Sequence, residues 1–533
     1  MMDFDNYNLP YEHTGYFSTL VADYISQSPT LRPFYAHTPD LLGIQSAIEA
    51  RKSFDTPRKL LVEVLTEQYA GIDISTKTKA NIESLLKSTS FTVTTAHQPN
   101  IFTGPLYFIY KILHTIKLAE MLQNKMPEYN FVPVYYMGSE DADLDELGKI
   151  NLGGQELVWK TNQTGAVGRM KVDKSFLQLI NAIEGQIAIH TSGLELVNVF
   201  KQVYTLGKTI QQATLELVNH LFADYGLVVL IPDNAKLKSA YQSVVKKELV
   251  ENFSHTIIAE TISALKQHYK VQATGRTINL FYLIDNHRER IELVNGMYTI
   301  QTLNLQFTES EILNELNNFP DRFSANVILR GGFQETVLPN IAFIGGGGEL
   351  AYWLELKNLF NHCGIPYPVL VLRNSFLCLT QAQFSKMKQL GFNEPDLFQS
   401  AELLLNTIVK RDTAAMLDLA TELANCKLLY ESLKEKANSV DKSLNDHVNA
   451  LEIQSTKKIL ALQKKLLSAE KEKFQVAKRQ ITNLKTALYP NNSLQEREAN
   501  MGDFYALYGK DFINLIYRAS NTLEMQFSVL AIK

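Results

Sequence analysis

Phe91-Thr-Val-Thr-Thr-Ala-His-Gln-Pro-Asn-Ile-Phe-Thr-Gly-Pro-Leu-Tyr-Phe-Ile-Tyr-Lys111 and, twenty residues on, Phe131-Val-Pro-Val-Tyr-Tyr-Met-Gly-Ser-Glu-Asp-Ala-Asp-Leu-Asp-Glu146 decide the fold. The first opens with β-branched and aromatic residues, Phe91 to Thr95, that suit a pleated strand. Pro99 has no N–H for a central ladder, so the strand stops, and Gly104-Pro105 marks the turn into a helix. From Leu106 to Leu122 the apolar residues recur at helical spacing: Leu106, Ile109, Tyr110, Leu113, Ile116. The intervening loop therefore joins a strand's carboxyl end to a helix's amino end. In open α/β sheets ligands bind there, and the unpaired amides of the helix start favour anions. His97, Gln98 and Lys111 are expected near that point.

The second stretch repeats the theme. Phe131 to Met137 reads as an apolar strand, Gly138 ends it and Ser139 is expected to cap a helix. Glu140, Asp141, Asp143, Asp145 and Glu146 follow. Acids in a first helical turn are favoured by the helix dipole, which is one reading; the other is a cation site for a substrate ammonium or a nucleotide-bound magnesium ion.

Size and composition narrow the classes. At 533 residues the chain suggests two or three domains, with 45% hydrophobic and 20% charged residues. A net charge of -4 and a pI of 6.3 supply no basic field for nucleic acid or an anionic membrane. No apolar run reaches a membrane span, and Met1 to Pro10 lacks the zones of a signal peptide, so a cytoplasmic protein is expected. The three cysteines, Cys363, Cys378 and Cys426, have no spacing that suggests zinc or a disulfide framework, and no tightly bound metal is expected. Cys363, after His362, is more simply a structural cysteine than a catalytic thiol.

Along the chain, Tyr11 to Ser28 and Leu41 to Tyr69 read as an α-helical lead-in. Asn151 to Val172 reads as short strands, Leu194 to Tyr225 as a long helical region, and Leu227 to Ile231 as a buried strand ended by Pro232-Asp233-Asn234. Asp233 is expected to cap the next turn rather than serve a site. Ala240 to Tyr269 is helical in pattern, and the segments Phe281 to Ile284, Arg290 to Val294 and Met297 to Thr302 are β-rich. Arg288 and Arg290 could bind an anion, although a loop charge run is usually only solvated. Phe323 to Leu329 leads to Arg330, whose guanidinium suits a carboxylate or phosphate fork.

The run Gly345 to Gly348 lies between a strand, Ile341 to Ile344, and a helix, Glu349 to Phe360, but no lysine and serine follow as in a Walker motif. Glu349 places negative charge where a phosphate would sit, so the loop is expected to receive an amine or to allow close backbone approach. Tyr352 and Glu355 share a helix face. Pro368 to Leu372 is a last core strand, ended by Arg373-Asn374-Ser375.

From about Ser385 to Leu488 lysine, glutamate, glutamine and leucine dominate. Ile459, Leu462, Leu466 and Ala469 alternate spacings of three and four, and Ala477, Ile481, Leu484 and Leu488 resume one residue out of phase. The drift predicts an antiparallel or irregular helical hairpin, whose apolar stripe must bury itself on its own second helix or on another subunit's arm; a homodimer is expected. Met525 to Ile532 reads as a final strand that adds to the sheet.

Ala96 to Lys111 and Ser139 to Glu146 resemble the bacillithiol biosynthesis cysteine-adding enzymes, the cysteine ligase family. Phe323 to Arg330, Gln334 to Pro339, Ala342 to Lys357 and Tyr489 to Arg497 extend the resemblance in the family's order over nearly the whole chain. The run Glu-Leu-Ala-Tyr-Trp-Leu-Glu-Leu-Lys, 349 to 357, is its most specific part. Two positions depart: Ala142, where many members carry histidine, and Gly331, where proline commonly follows the arginine. At Ala142 no acid/base role can be assigned.

The resemblance implies an α/β fold, a Rossmann-like parallel sheet core with connecting-peptide insertions plus an α-helical coiled-coil domain. The expected division is 1–384 as core, with insertions near 150–225 and 235–325, then 385–489 as the arm and 490–533 as a segment returning to the core. It also implies condensation of L-cysteine with the amine of glucosaminyl malate, the last step of bacillithiol biosynthesis. A carboxylate does not acylate an amine unactivated, so ATP or another nucleotide, with Mg2+, is expected to activate it. Laid against that chemistry, the catalytic candidates are His97, Asp141 and Asp143. The substrate-binding candidates are Gln98, Gly104, Tyr107, Lys111, Glu140, Asn326, Arg330, Gly346, Gly347, Glu349 and Tyr352. Arg373, Asn374, Ser375, Tyr489 and Gln495 are candidates for the nucleotide. The malate calls for cations, with Lys111, Arg330 and Arg373 as candidates; the amines call for acids; His97 could stabilise an oxyanion or act as general base. The rival readings are another nucleotide-dependent ligase or nucleotidyltransferase on the same core, and an inactive dimerising scaffold.

Overall fold

The computed structural model describes residues 3–413 and 417–533. They divide into two compact units, one made of the chain up to Cys378 together with Ser493–Lys533, the other of Leu379–Asn492.

The first unit is built on five parallel strands: β1 (Ser90–His97), β2 (Asn130–Met137), β3 (Val228–Leu230), β4 (Asn340–Gly345) and β5 (Val369–Leu372). Their spatial order is β5-β4-β1-β2-β3, and every neighbouring pair is parallel. The chain runs outward from β1 through β2 to β3, then crosses back to β4 on the other side of β1. Strand order thus reverses between β1 and β4, which opens a crevice above their carboxyl ends. Helices cover the strands on both faces, so β2 to β5 read as near-continuous apolar runs, while the buried threonines of β1 bond within the core, Thr92 to Asn340 and Thr95 to the Ile344 oxygen. Phe91, Val93, Ile341, Ile344, Val369 and Val371 pack with Leu118 and Leu122 of helix α1 (Tyr107–Lys125) and with Ile44 and Ile48 of the lead-in helix Leu41–Lys52.

One buried ion pair anchors this layer. Arg51, on that lead-in helix, reaches Glu335 Oε2 at 2.8 Å and the backbone oxygens of Glu335 and Asn340 at 2.6 and 3.0 Å. Glu335 Oε1 accepts from Gln334 and Asn340 at 2.9 and 2.8 Å. Both charges are therefore hydrogen-bonded on several sides, the condition for keeping an ion pair inside a core. Glu335 lies on helix α2 (Val327–Val337), and α3 (Gly347–Leu354) follows β4.

The structure departs from the sequence reading in several places. Leu194–Tyr225 is two helices, Thr191–Val203 and Ile210–Phe222, parted by a turn in which Gly207 takes φ +83°. Phe527–Ile532 does not join the main sheet; it pairs antiparallel with Phe4–Leu9 in a separate one. Ser139 caps no helix: residues 138–143 form an irregular turn, and the short helix Leu144–Leu147 is capped by Asp143.

The second unit is the helical arm. Ala420–Val440 and Leu444–Lys471 form an antiparallel hairpin, with Tyr430 against Ser455 at 2.7 Å and Lys434 paired with Glu452 one turn away. The phase break seen in the apolar spacing is the 3-10 turn Glu472–Phe474, after which Gln475–Leu488 buries Ile481, Leu484 and Leu488.

Candidate functional site

A cavity of about 360 Å³ lies in the crevice where strand order reverses. β1 brings His97 to its floor as the strand's last residue, and Gln98 follows. The turn after β2 brings Glu140 and Asp141; α1 brings Tyr107 and Lys111, four residues apart on one helix face. Asn326 and Arg330 come from the start of α2, and Gly346, Gly347, Glu349 and Tyr352 from the start of α3. Arg373 closes one side from the end of β5.

The loop after β1 takes its shape from left-handed backbone. Phe102, Thr103 and Gly104 have φ of 49°, 71° and 60°. Asn500, from the returning C-terminal segment, donates through its side-chain amide to the Phe102 and Gly104 oxygens at 2.9 and 2.6 Å. A Cβ on Gly104 would stand 2.6 Å from that of Asn100. Gly104 thus serves the turn and does not reach the cavity.

His97 is buried, with its ring against those of Tyr107 and Phe108. Its Nε2 is buried and has no hydrogen-bond partner among the described residues. Burial holds its pKa well below the usual histidine value, and the positive charges of Lys111, Arg373 and Arg330 push the same way. At neutral pH it is an uncharged imidazole, able to accept or donate a proton at the cavity floor.

Half of the charged side chains around it are already paired. Lys111 donates to the Ala96 oxygen at 2.9 Å and forms an ion pair with Glu349. Glu349 in turn folds back to accept from the Gly346 N–H at 2.9 Å, so a carboxylate occupies the amino end of α3. Arg373 pairs with the buried Glu496 at 2.7 Å. Glu140 pairs with Lys238 and accepts from Ser324 at 3.0 Å, which neutralises it. Among the described residues, four charged side chains facing the cavity have no opposite charge within ion-pair distance: Arg288, Arg330, Arg497 and Asp141. Arg330 contacts the Tyr352 hydroxyl at 2.5 Å; burial pushes that phenol up to about 12, so it stays protonated. Asp141 accepts from Gln98 at 3.1 Å through one oxygen and from the Asp143 N–H at 3.3 Å through the other.

Several sequence candidates lie elsewhere. Asp143 is the cap of Leu144–Leu147, accepting from Glu146 N–H at 3.0 Å, and lies outside the cavity wall. Ser375 and Asn374 also lie outside it: the Ser375 hydroxyl bonds Glu496 at 3.2 Å, and the Asn374 N–H donates to His114 at 3.1 Å. Gln495 spends both ends of its amide on the backbone of Cys378, at 2.9 and 3.0 Å. Tyr489 belongs to the helical arm, its ring beneath Lys485 at 3.8 Å. Asp233 makes a two-pronged pair with Arg169, both contacts at 2.6 Å, rather than capping a turn or serving the site.

Arg288, Arg497 and Tyr136 line the cavity and were not among the sequence candidates. Arg288 reads in the sequence either as an anion binder or as a solvated loop charge. Its Cζ lies 3.9 Å from the centre of the Phe281 ring and its Nε donates to Ser324 at 3.2 Å, which turns it inward. Arg497 closes a segment that the family resemblance covers, which was the one available signal for it.

The fold and this cavity define a Rossmann-like enzyme carrying a helical arm. The family description "Bacillithiol biosynthesis BshC, N-terminal Rossmann-like domain" matches residues 2–374, and "Bacillithiol biosynthesis BshC, C-terminal coiled-coil domain" matches 376–532. A Flavobacterium johnsoniae protein is 40% identical over 98% of this chain and 99% of its own length. Relatives from Flavobacterium psychrophilum and Christiangramia forsetii are 38% and 37% identical, each covering 98% of both chains. All three carry the name "Putative cysteine ligase BshC". The chain belongs to the bacillithiol biosynthesis BshC family and is a ligase.

Proposed function

We infer that this chain joins the carboxyl group of L-cysteine to the amine of glucosaminyl malate, completing bacillithiol, by way of an activated cysteine carboxylate. Family membership supports the reaction class, and one observation carries the fit: among the described residues, the cavity's unpaired charges are three guanidiniums and one carboxylate. That balance suits substrates bearing several carboxylates or phosphates and a single ammonium. Asp141 receives the ammonium of cysteine, while Arg288, Arg330 and Arg497 receive the malate carboxylates and the activated carboxyl group, each charge-assisted bond contributing about 1.5–3 kcal/mol.

His97 takes the proton that the acceptor amine loses when its nitrogen bonds to the activated carbonyl carbon and the phosphate or AMP on that carbon departs, a role open to an imidazole that burial keeps neutral. A nucleotide such as ATP, with magnesium, would supply the activating phosphoryl or adenylyl group. Its phosphates would meet the guanidiniums and not the amino end of α3, because Glu349 already occupies the Gly346 N–H. The helical arm, whose outward residues include Leu428, Leu429 and Val440, offers the surface for a homodimer.

The test is incubation of the purified chain with cysteine, glucosaminyl malate, ATP and magnesium, followed by mass spectrometry. Cysteinyl adduct with AMP supports adenylation, and adduct with ADP supports an acyl phosphate. Absence of adduct from a folded chain refutes the proposal.

A further inference from the structure

A second cavity, of about 650 Å³, opens outward from the first. The two share a wall formed by Asp141, Arg288, Asn326, Val327, Glu349 and Tyr352, with Gly348 at its edge. The outer chamber's own residues are Gln272, Ala273, Thr274, Arg276 and Phe281. All but Phe281 lie on a strap without regular secondary structure, between the helix Phe253–Leu265 and the strand Leu280–Ile284.

The strap is held at both ends. Tyr269, just before it, donates its hydroxyl to Asp23 at 2.6 Å. Asn279, just after it, accepts from the Arg276 N–H at 3.0 Å and is itself bonded to Glu248, Ser254 and Asn326. In the middle, the buried Glu355 accepts from the Gln272 and Ala273 N–H groups at 3.0 and 3.3 Å through Oε1. Arg276 therefore projects from a fixed backbone. Its guanidinium, like that of Arg288, has no carboxylate within ion-pair distance among the described residues.

We propose that the outer chamber is the acceptor subsite: it takes a glycoside bearing a dicarboxylate, whose carboxylates face Arg276 and Arg288 while its amine points inward to the shared wall. This rests on the ligase reaction inferred above and adds to it a division of the crevice. The larger, anionic acceptor fills the roomier chamber with the two unpaired guanidiniums at its rim. The smaller donor fills the inner chamber, where His97 and Arg330 lie. Asp141 and Tyr352, belonging to both walls, mark the plane at which the new amide bond forms.

The experiment measures KM for each substrate with full-length Arg276→Ala and Arg288→Gln. Arg276 is exposed, so its removal leaves the fold intact, which circular dichroism verifies. The glycoside KM is expected to rise about tenfold or more in each variant, the loss of one charge-assisted contact, with the cysteine KM within about twofold of wild type. With methyl glucosaminide as acceptor, which has no carboxylates, Arg276→Ala and wild type should agree. An unchanged glycoside KM in both variants, or a rise in the cysteine KM instead, overturns the subsite. A wild-type chain that neither binds nor consumes the malate glycoside refutes the reaction itself, and with it the subsite.

Discussion

Replacing Glu355 by Gln should remove a pH dependence from the strap over the outer chamber. Glu355 follows α3, is almost wholly buried, and gives one oxygen to two backbone N–H groups while the other, Oε2, has no hydrogen-bond partner among the described residues. Burial pushes its pKa up to about 7, against the two backbone N–H bonds, which favour the ionised form. When the strap lifts, water reaches the carboxyl and its pKa returns towards the ordinary 4.5. The closed strap therefore binds the proton more tightly than the open one. The stabilisation from this group is complete below pH 4.5, is lost progressively as pH rises towards 7, and is absent above it. The full difference in pKa would correspond to a change in opening of more than a hundredfold; allowing for partial solvation of the closed carboxylate, about 10- to 100-fold, or ~1.4–2.7 kcal/mol, is expected. Hydrogen exchange at the Gln272 and Ala273 amides reads this directly. The ratio of protection between wild type and Glu355→Gln cancels the intrinsic pH dependence of exchange. That ratio should fall between pH 5 and 7.5 as the wild-type strap loosens. A ratio flat with pH would refute the reasoning, since it would mean that Glu355 does not titrate with strap opening.

His97→Ala should lower kcat by about 10²–10⁴-fold with the fold retained, and in the wild type the acid limb of kcat/KM should lie below pH 6.5, because the imidazole is already neutral above it. Steady-state rates across pH 5 to 8 check both. Glu335→Ala leaves the Arg51 guanidinium buried without its carboxylate and should cost about 3–5 kcal/mol, read as a fall in thermal midpoint. Gly104→Ala forces a side chain onto backbone at φ 60° and ψ -147° and into Asn100, so about 1–3 kcal/mol of strain should displace the loop. Activity should then suffer more than stability, as comparison of turnover with melting would show.

β2 to β5 were legible because burial on both faces leaves an apolar signature, β1 through its β-branched and aromatic residues, and the loop after Thr95 because Pro99 and Gly104-Pro105 punctuate it. The strand Phe4–Leu9 was not read: its sequence, Phe-Asp-Asn-Tyr-Asn-Leu, is half polar, and its only reason to be extended is a partner at the far end of the chain. The acidic run after Ser139 was ambiguous for a similar reason. Five carboxylates look alike in sequence, but Lys238 neutralises Glu140, Asp143 is spent on a cap, and only Asp141 meets the cavity without a cation. At the end of β5, position alone pointed to a ligand site for Asn374 and Ser375, and the family resemblance added the distant Gln495. The same position also suits side chains that pin backbone, and hydrogen bonds to His114, Glu496 and Cys378 show that use.

The returning segment has a consequence in time as well as in space. Asn500 shapes the loop beside His97, Glu496 fixes Arg373, and Arg497 forms part of the cavity wall. A ribosome that has finished everything through Asn492 has made every strand of the parallel sheet, yet the nascent chain still lacks these three supports. The crevice is therefore completed only after the arm has been made, and a chain halted in the arm would carry the sheet without these three contacts.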